Sequence, residues 1–375
     1  MTNNHQQQRG LLQRIARRAM IDRGLLPDFS PEAIAELKSI QEMPVKTSGA
    51  VRDLRELAWC SIDNDDSRDL DQLSVAIPMP DNITKILVAV ADVDAVVKKG
   101  SALDKHAGQN TTSVYTAAEI FPMLPDKLST DITSLNPDSD RYAMVVEMSI
   151  GADGSMQHSE IYQAIVRNRA KLAYNSLAAW LEGTGPLPLP AGKVPGLDEN
   201  IRLQDQVAQQ LKSLRFTNGA LDFETIEARP VFEGDEIKDL QSEKKNKAKT
   251  IIEDFMISAN GVVARWLAGQ NFPSMRRVVR TPKRWDRIVE LAAEQKYTLP
   301  QHPDSKALDQ FLVSEKMANP DRFPDLSLSV IKLLGAGEYT VELPGQNASG
   351  HFGLAVKDYT HSTAPNRRFP DLITQ

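Results

Sequence analysis

The chain has 375 residues, of which 41% are hydrophobic and 25% are charged, proportions typical of a soluble globular protein with a large core. A formal net charge of −6 argues against a protein that coats nucleic acid with a basic surface, although it leaves room for an enzyme with a local basic channel. The single cysteine, Cys60, excludes an intrachain disulfide and a cysteine zinc cluster and fits a reducing compartment, so we expect a cytoplasmic protein.

The first fifty residues predict two short helices. In residues 9–21, RGLLQRIARRAMI, leucines and isoleucines recur at helical spacing with arginines between them. A second helix is expected to begin with Ser30 as its N-cap and Pro31 at its first helical position. We interpret residues 1–48 as a short helical module that either contacts nucleic acid or forms an interaction arm, two uses that the sequence does not separate.

The next part of the chain predicts strands. Residues 73–79 (LSVAIPM) and 85–93 (KILVAVADV) are apolar and rich in β-branched side chains, with an Asp-Asn turn between them. Residues 144–150 (MVVEMSI) and 160–168 (EIYQAIVRN) predict a second pair of strands. Aspartates interrupt the longest apolar run, so that no run reaches the length of a membrane span and no membrane contact is expected.

Longer helical patterns dominate the second half of the chain, in residues 199–215, 246–268, 284–295 and 325–335. A segment rich in proline and glycine, residues 183–196, is the most linker-like part. Because strands come first and helices later, the order favours an α+β fold, a mixed sheet with surrounding helices, over a doubly wound parallel sheet. The final stretch, RRFPDLITQ, predicts a helix that has only begun, so we expect a longer protein to continue beyond it.

The most unusual local feature is IDNDDSRDLDQ, residues 62–72. Like charges at close range raise one another's pKa and destabilise a fold unless a positive charge lies among them. The cluster is therefore either a loop whose repulsion is screened by water or a cradle for a divalent cation. Its aspartates are Asp63, Asp65, Asp66, Asp69 and Asp71.

A calcium loop of the EF-hand type does not fit this cluster. Counted from Asp63, the position that requires glycine holds Arg68, and the position that requires glutamate holds Ser74. Asp69 and Asp71 would share one side of an extended backbone, because side chains alternate along it. Hard oxygen ligands suit magnesium or manganese, and two such ions would clamp a phosphodiester. On the cluster alone, a solvated acidic loop is still the favoured interpretation.

Near the C-terminus, Arg367 and Arg368 stand side by side after a proline turn. Arginine binds phosphate bidentately and stabilises the negative charge that develops in phosphoryl transfer. The alternative is a surface pair bonded to Asp371. Segments 111–129 and 250–265, taken alone, predict core packing.

Taken together, these stretches resemble the catalytic domain of the ribonuclease II (RNB) family of 3′→5′ exoribonucleases. The resemblance implies that residues 49–375 form an RNB-type catalytic domain and that the chain stops before the family's C-terminal OB-fold RNA-binding module. The matching motifs occur in the family's order. They are the acidic signature at Ile62–Gln72, T-S-x-Y and P-M-L-P at Thr112–Tyr115 and Pro122–Pro125, E-x-x-M-x-x-A-N at Glu253–Asn260, H-F-G-L at His351–Leu354, and Y-T-H-x-T-S-P-x-R-R-Y-P-D at Tyr359–Asp371.

The resemblance implies a metal site in the acidic cluster. Asp63, Asp69 and Asp71 would hold one or two magnesium ions over the terminal phosphodiester, with manganese as the alternative ion. Asp71 is expected to be indispensable, and with Asp69 and Arg367 it forms the implied catalytic set. Gln72 stands where the family carries a fourth carboxylate; its amide oxygen can ligate magnesium but brings no charge.

The same resemblance implies an RNA-binding set. Arg367, with Arg368 beside it, would contact the scissile phosphate. Glu253 would accept a hydrogen bond from a ribose 2′-hydroxyl, the group that distinguishes RNA from DNA. The implied aromatic contacts to the 3′-terminal nucleotide are Tyr115 and Phe223, which would sandwich the base, and Tyr174, which would line the same pocket.

These roles imply a hydrolytic exoribonuclease that threads single-stranded RNA into a narrow basic channel and releases nucleoside 5′-monophosphates from the 3′ end. Single-stranded RNA is the implied partner; no protein partner is inferred, and a monomer is expected. Three features depart from the family's pattern, the first of which is the C-terminal OB-fold module that this chain does not include. The second is Gln72, and the third is the short region before Asp63, which leaves no room for the paired cold-shock barrels of many members.

Two alternatives stay open. The first is a non-catalytic RNA-binding member that lost cutting through Gln72, in which an aspartate restored at this position would produce a gain of activity. The second is a nucleic-acid-binding regulator whose N-terminal helices carry the function. Deletion of residues 1–45 would then abolish binding, although the acidic net charge argues against this alternative.

Overall fold

A mixed sheet, seven-stranded in the described part of the chain, organises the fold. The structure is a computed structural model that describes residues 5–41, 51–224, 227–233, 236–243, 245–346 and 350–375. The strands are β1 (Arg52–Asp53), β2 (Cys60–Asp63), β3 (Gln72–Pro78), β4 (Thr84–Ala91), β5 (Val114–Tyr115), β6 (Ile120–Phe121), β7 (Asp140–Ile150), β8 (Met156–Arg167), β9 (Ala170–Ala173), β10 (Glu227–Glu233), β11 (Glu236–Glu243), β12 (Ser274–Val278) and β13 (Glu338–Glu342).

The strand order in the large sheet is β1-β8-β7-β4-β3-β2-β9. The central strands pair antiparallel, whereas β1 with β8 and β2 with β9 pair parallel. Both predicted hairpins are confirmed, β3 with β4 and β7 with β8. In the turn of the first hairpin, Asp81 and Asn82 have φ angles of 60° and 56°. This left-handed conformation is one that Asp and Asn adopt more readily than most residues.

Strand β4 lies in the middle of the sheet and is buried on both faces. Ile86, Val88 and Val90 pack into one core, and Leu87 and Ala89 pack into a second core on the opposite face, because side chains alternate along a strand. A strand covered on both faces needs apolar side chains at nearly every position. This explains the long apolar run in its sequence.

Helices cover both faces of the sheet, which confirms the predicted α+β class. The helical patterns predicted at residues 9–21, 199–215, 246–268, 284–295 and 325–335 are all helices in the structure. In chain order the helices are α1 (His5–Asp22), α2 (Pro31–Ser39), α3 (Ala102–Asn110), α4 (Tyr174–Leu181), α5 (Leu189–Gly192), α6 (Leu197–Thr217), α7 (Lys247–Gly269), α8 (Trp285–Glu294), α9 (Ser305–Ala318), α10 (Phe323–Leu334) and α11 (Phe369–Thr374), with a π-helical turn at Lys127–Ile132 and a 3₁₀ turn at Phe352–Leu354.

The helices divide among three cores. Ile201 of α6 and Phe255 of α7 pack against one face of the sheet. Leu103 of α3 packs in the core on the other face. The third core lies among α8, α9 and α10, and it includes Leu221 from the segment after α6. Leu221 is two residues from Phe223, so this helical core supports one of the implied base-stacking residues.

The N-terminal helices contact the rest of the fold. Ser30 caps α2 as predicted, since its Oγ accepts a hydrogen bond from the Ala33 amide at 3.2 Å, and Pro31 is the first residue of that helix. Arg17 of α1 forms an ion pair with Glu119 at 3.1 Å. These contacts do not bear on whether the module binds nucleic acid, which stays a prediction.

The proline- and glycine-rich segment 183–196 is not an open linker. Ala191 within it is buried, and Leu187 and Val194 pack against the first core. The predicted domain boundary between residues 48 and 49 lies outside the described residues. Within the ranges that the structure covers, no helix combines the length and apolar character needed to cross a membrane.

Candidate active site

The acidic loop, residues 63–71, connects the end of β2 to the start of β3 and is pinned to the fold from inside. Leu70 is buried, its amide donates to Ser134 Oγ at 3.0 Å, and its carbonyl accepts from the Leu135 amide at 2.9 Å. The neighbouring Asp71 is fully buried, while Asp65 is exposed. The interpretation as a solvated loop therefore fails for Asp71, which the fold takes out of water.

The C-terminal arginine turn, residues 363–368, meets the acidic loop at Asp71. The Asn366 amide donates to Asp71 Oδ1 at 3.0 Å, and Arg367 Nε lies 3.2 Å from Asp71 Oδ2. Thr133, just after the π-helical turn, holds the same asparagine by donating from its hydroxyl to Asn366 Oδ1 at 2.6 Å. Residues that are almost three hundred positions apart in the sequence thus meet in one charged pair, in which Asp71 is fully buried and Arg367 is 36% exposed.

The T-S-x-Y motif joins the arginine turn to the acidic loop. The Ser113 amide and the Thr112 hydroxyl both donate to the Arg367 carbonyl, at 2.9 and 3.0 Å. The Tyr115 hydroxyl donates to Asp69 Oδ2 at 3.0 Å. Tyr115 is 54% exposed, so its ring stays accessible although its hydroxyl is committed to an aspartate of the cluster.

Burial and charge shift the pKa values in this group. Burial raises the pKa of the Asp71 carboxyl to about 7, and the adjacent Arg367 only partly offsets this effect. Burial would by itself lower the pKa of Arg367, but Asp71 and Asp63 raise it overall, so the guanidinium stays charged. Burial, and then Asp69, raise the pKa of the Tyr115 hydroxyl, which keeps it a hydrogen-bond donor.

Asp63 and Gln72 stand at the two ends of the acidic loop. Asp63 Oδ1 accepts from the Asn64 amide at 2.8 Å and from the Ser67 hydroxyl at 2.9 Å. Gln72 Nε2 donates to the carbonyl oxygen of Thr363, at the start of the arginine turn. The amide nitrogen of Gln72, and not its oxygen, must face Thr363, because a carbonyl oxygen only accepts.

The two adjacent arginines pair with different carboxylates. Arg367 pairs with Asp71, whereas Arg368 donates from Nη2 to Asp371 Oδ1 at 2.7 Å. Asp371 is fully buried and also accepts from the Ala364 amide at 2.8 Å, so this pair braces the turn from within. The alternative of a pair bonded to Asp371 is therefore realised by Arg368 alone. A direct contact of Arg368 with RNA stays a prediction.

A second charged group, the helical network, surrounds Glu253 and Phe223. Phe223 packs against the third core. Glu253 lies 3.8 Å from both Arg215 and Lys245. The remaining ion pairs of the network are Arg215 with Asp254 at 2.7 Å, Lys245 with Asp222 at 3.2 Å, and Lys316 with both Asp222 and Glu224 at 3.4 Å.

Tyr115 and Phe223 are not in ring contact, and neither ring stacks on another among the described residues. Tyr174 begins α4, and the Lys249 ammonium lies 5.8 Å from the centre of its ring. Tyr174 also packs against the first core, as does α7, the helix that carries Glu253. The base sandwich and the pocket role of Tyr174 therefore stay predictions.

The E-x-x-M-x-x-A-N and H-F-G-L motifs connect the arginine turn and the segment before Phe223 to the rest of the fold. Asn260 Oδ1, at the end of the E-x-x-M-x-x-A-N motif, accepts from both the amide and the hydroxyl of Ser362 at 2.8 Å. The Gly353 carbonyl, in the H-F-G-L motif, accepts from the Leu221 amide at 2.9 Å. The first contact fixes the entry to the arginine turn, and the second fixes the segment that leads to Phe223.

Comparison with known proteins agrees with this arrangement. The family model described as RNB domain matches residues 51–375. The chain belongs to the RNB domain family.

Curated relatives of this RNB domain are named Ribonuclease R. The protein from Vibrio parahaemolyticus is 32% identical over 357 residues, which are 93% of this chain and 41% of the relative. The protein from Aquifex aeolicus is 31% identical over 355 residues, which are 93% of this chain and 49% of the relative. The chain thus spans less than half of the length of these two relatives.

Solved structures share the fold of this RNB domain. The structure of RNase R of Mycoplasma genitalium in complex with double-stranded RNA matches with a TM-score of 0.85 at 25% identity. The match covers 95% of this chain and 62% of the RNase R chain. Yeast Ssd1, described as a pseudonuclease, gives 0.70 at 14% identity and covers 90% of this chain and 41% of its own. The second likeness concerns the fold alone.

The RNB family implies a metal ion, and the donor chemistry of the acidic loop fits a hard divalent cation. Asp71 Oδ2 is a buried carboxylate oxygen that accepts no hydrogen bond from any described residue. Asp71, Asp63 and Asp69 all raise the pKa of Arg367, so each of these carboxylates acts on the same guanidinium. In the described ranges, however, no three Asp, Glu, His or Cys side chains stand at metal-ligand spacing. Arg367 holds the positive charge next to Asp71 in this structure.

Several residues of this RNB domain site escape sequence analysis. Thr133 and Ser134 belong to no motif, and each acts through one hydroxyl on a distant segment. Asn366 occupies the variable position of the R-R motif, and its contact with Asp71 uses the backbone N–H that any residue except proline offers. Only the tertiary structure brings these contacts together.

Proposed function

We propose that this chain carries the catalytic site of a metal-dependent hydrolytic exoribonuclease, which degrades single-stranded RNA from its 3′ end to nucleoside 5′-monophosphates. The observation that carries the proposal is the junction of the acidic loop with the arginine turn, where Arg367 lies 3.2 Å from the fully buried Asp71. The name Ribonuclease R on the relatives supports the same activity.

Asp63, Asp69 and Asp71 would hold the ion, with magnesium as the first candidate and manganese as the second. When bound, the ion supplies an activated water and neutralises charge on the phosphate. Arg367 contributes a positive charge at the scissile phosphate, and its pairing with the fully buried Asp71 fixes the position of that charge. The Tyr115 hydroxyl orients Asp69, so that the carboxylate is in place before the substrate arrives.

Recognition of RNA would come from stacking and from one ribose contact. The exposed ring of Tyr115 offers one face for the 3′-terminal base, with Phe223 and Tyr174 as further surfaces of the pocket. Glu253 is 41% exposed, so its carboxylate can accept a hydrogen bond from a 2′-hydroxyl. Stacking tolerates every base, which suits a nuclease without sequence preference. A reducing location such as the cytoplasm fits the buried free thiol of Cys60.

A second candidate function is RNA binding without cleavage. The observation that favours it is Gln72, which replaces a carboxylate of the family signature. The likeness to yeast Ssd1, described as a pseudonuclease, shows only that the same fold occurs in a protein of that description. The conserved fold therefore does not by itself decide between cutting and binding. The pairing of the fully buried Asp71 with Arg367, two residues of the implied catalytic set, favours the enzyme.

The test uses a 5′-labelled single-stranded RNA and its DNA analogue, each incubated in magnesium, in manganese and in EDTA. We expect shortening of the RNA alone from its 3′ end, in either metal, with no reaction in EDTA. Asp71→Asn is the matched control, because it removes the charge while it keeps the size of the side chain. RNA that is bound but stays intact in both metals would overturn the proposal in favour of the binding protein.

A further inference from the structure

Gln72 is the first residue of β3 and directly follows Asp71. Its side-chain Nε2 donates to the Thr363 carbonyl, 291 positions along the chain. We propose that Gln72 is a positioning residue, a clasp whose amide N–H holds the arginine turn against the acidic loop, and not a ligand that replaces the family's fourth carboxylate. The catalytic part of this inference rests on the proposed function, whereas the structural part does not.

The chemistry of the contact requires an amide. The Thr363 carbonyl is an acceptor, and an ionised carboxylate has no hydrogen to donate to it. An aspartate or glutamate at position 72 would turn lone pairs toward lone pairs. It would also add a negative charge beside Asp71, which is fully buried and has the guanidinium of Arg367 as its charged neighbour.

The position of the contact explains what the clasp controls. Asp71 and Gln72 each form a hydrogen bond with the arginine turn: Asp71 accepts from the Asn366 amide, and Gln72 donates to the Thr363 carbonyl. Thr363 is 2% exposed and Asn366 is fully buried, so water does not readily replace a contact that is lost there. Arg367 follows directly after these two points, and its direction depends on both.

Further contacts hold the turn on either side of the clasp, and Thr133 and Asp371 hold Asn366 and Ala364 within it. Asn260 holds Ser362 before it, while Ser113 holds the Arg367 carbonyl after it. The segment between Ser362 and Asn366 depends on Gln72 and on the Asp371 contact with Ala364. Without the Gln72 donor, the backbone in the first half of the turn becomes more mobile, and the side chain of Arg367 is held less firmly in its position.

The experiment measures amide hydrogen exchange in the full chain, in EDTA and without RNA. Gln72→Met removes the donor and keeps the length of the side chain, and Gln72→Glu removes it and adds a charge. We expect the amides of Ala364 and of residues 366–368 to exchange about tenfold faster in both variants, because a buried acceptor loses its partner; Pro365 has no amide hydrogen. Gln157→Glu is the matched control, since its amide donates to Ser155 at an exposed turn; it should leave this segment unchanged.

Each outcome decides the matter. Faster exchange in both variants, with α6 protected as in the parent protein, supports the clasp. Unchanged exchange in both overturns it, and so does faster exchange in Gln72→Glu alone, which would report repulsion between charges. If Gln72→Met does not fold, Gln72→Asn supplies the comparison, because it keeps the amide but withdraws it by one methylene.

Metal binding gives a second readout. If Gln72 were a ligand through its oxygen, Gln72→Glu would bind manganese more tightly in calorimetry and leave exchange unchanged. The clasp predicts the reverse: faster exchange, no gain in manganese affinity, and a lower kcat with a nearly constant KM. Exchange is read without substrate, so a clasp found in a chain that does not cut RNA would refute only the proposed function.

Discussion

The acidic site and the helical network both gather carboxylates beside cations, yet they are built differently. In the acidic site, Asp71 is fully buried and is held by a backbone amide and one guanidinium. In the helical network, the lysine and glutamate side chains are about half exposed, at 55% for Lys245, 43% for Lys316 and 41% for Glu253. The first group joins strand ends to a turn, and the second joins helices to a loop.

The burial of the carboxylate distinguishes the two groups, because Asp71 is fully buried whereas Arg367, at 36% exposed, is nearly as accessible as Glu253. Charges in water are screened and contribute little to stability, whereas charges taken out of water act strongly on each other and on a bound phosphate. The acidic site is therefore suited to stabilise a reaction, and the exposed part of the network to guide a flexible substrate. Arg215 with Asp254 is the exception in the network, because both side chains are largely buried.

Arg367→Lys tests the stronger side of this comparison. Lysine keeps the positive charge but loses the planar fork that binds phosphate at two points. We expect the rate of RNA cleavage in single turnovers to fall about 10²- to 10³-fold, while RNA binding in EDTA changes little. A rate within about threefold of the parent protein would show that charge alone is sufficient at this position.

Arg215→Met tests the buried exception. Asp254 accepts two hydrogen bonds from Arg215, at 2.9 and 2.7 Å, and burial raises the pKa of its carboxyl to about 6. Removal of the guanidinium leaves a buried carboxylate without its cation, so urea unfolding at pH 8 should show a loss of about 3 kcal/mol.

The control for this prediction is the double variant Arg215→Met with Asp254→Asn, in which neither charge is left. It should recover a large part of the lost stability, because the penalty belongs to the unpaired carboxylate. If the double variant is as unstable as the single variant, the loss comes from the packing of the arginine stem, and the network has no buried charge pair of consequence.

Some elements of the fold can be predicted from the sequence alone, and others cannot. Sheet strands with long apolar runs, such as β4, and helices with clear periodicity, such as α6 and α7, follow from local patterns that tertiary packing reinforces. Strands β12 and β13 are not predicted, because they are short and pair across sixty residues of intervening chain. The resemblance names the aspartates of the acidic loop, but it does not predict that Asp71 alone among them is buried.

The arrangement of the site depends on the directions of its side chains, which a single sequence does not specify. Arg367 and Arg368 are adjacent and chemically identical, yet one pairs with Asp71 and the other with Asp371. Only the path of the turn separates them. Gln72 is interpreted from the sequence as a weaker metal ligand, while the structure directs its amide nitrogen to Thr363. Contacts between segments that are far apart in the sequence determine both the pairing of the two arginines and the direction of the Gln72 amide.

Asp309→Asn tests a buried carboxylate next to the network. Burial, and then the nearby Asp222, raise the pKa of Asp309 to about 6, above its ordinary value of 3.8. Because the folded state holds this proton longer than the unfolded chain, the parent protein loses stability as the pH rises from about 4 to 6. The variant should be more stable by about 1 kcal/mol at pH 8 and equal near pH 4, as measured by urea unfolding. A gain that is the same at both pH values would assign the effect to packing.

Lys316→Ala gives the smallest expected effect and defines the weak end of the comparison. The ammonium pairs with Asp222 and Glu224 at 3.4 Å in each case, and the side chain is about half exposed. Such pairs contribute about 0.5 kcal/mol or less, so unfolding should change within that limit. If the ammonium belongs to the network and not to the RNA path, the dependence of RNA affinity on salt should keep its slope in the variant. A slope that falls by about one unit would mean that Lys316 binds a phosphate, and then the exposed part of the network would itself be an RNA-binding surface.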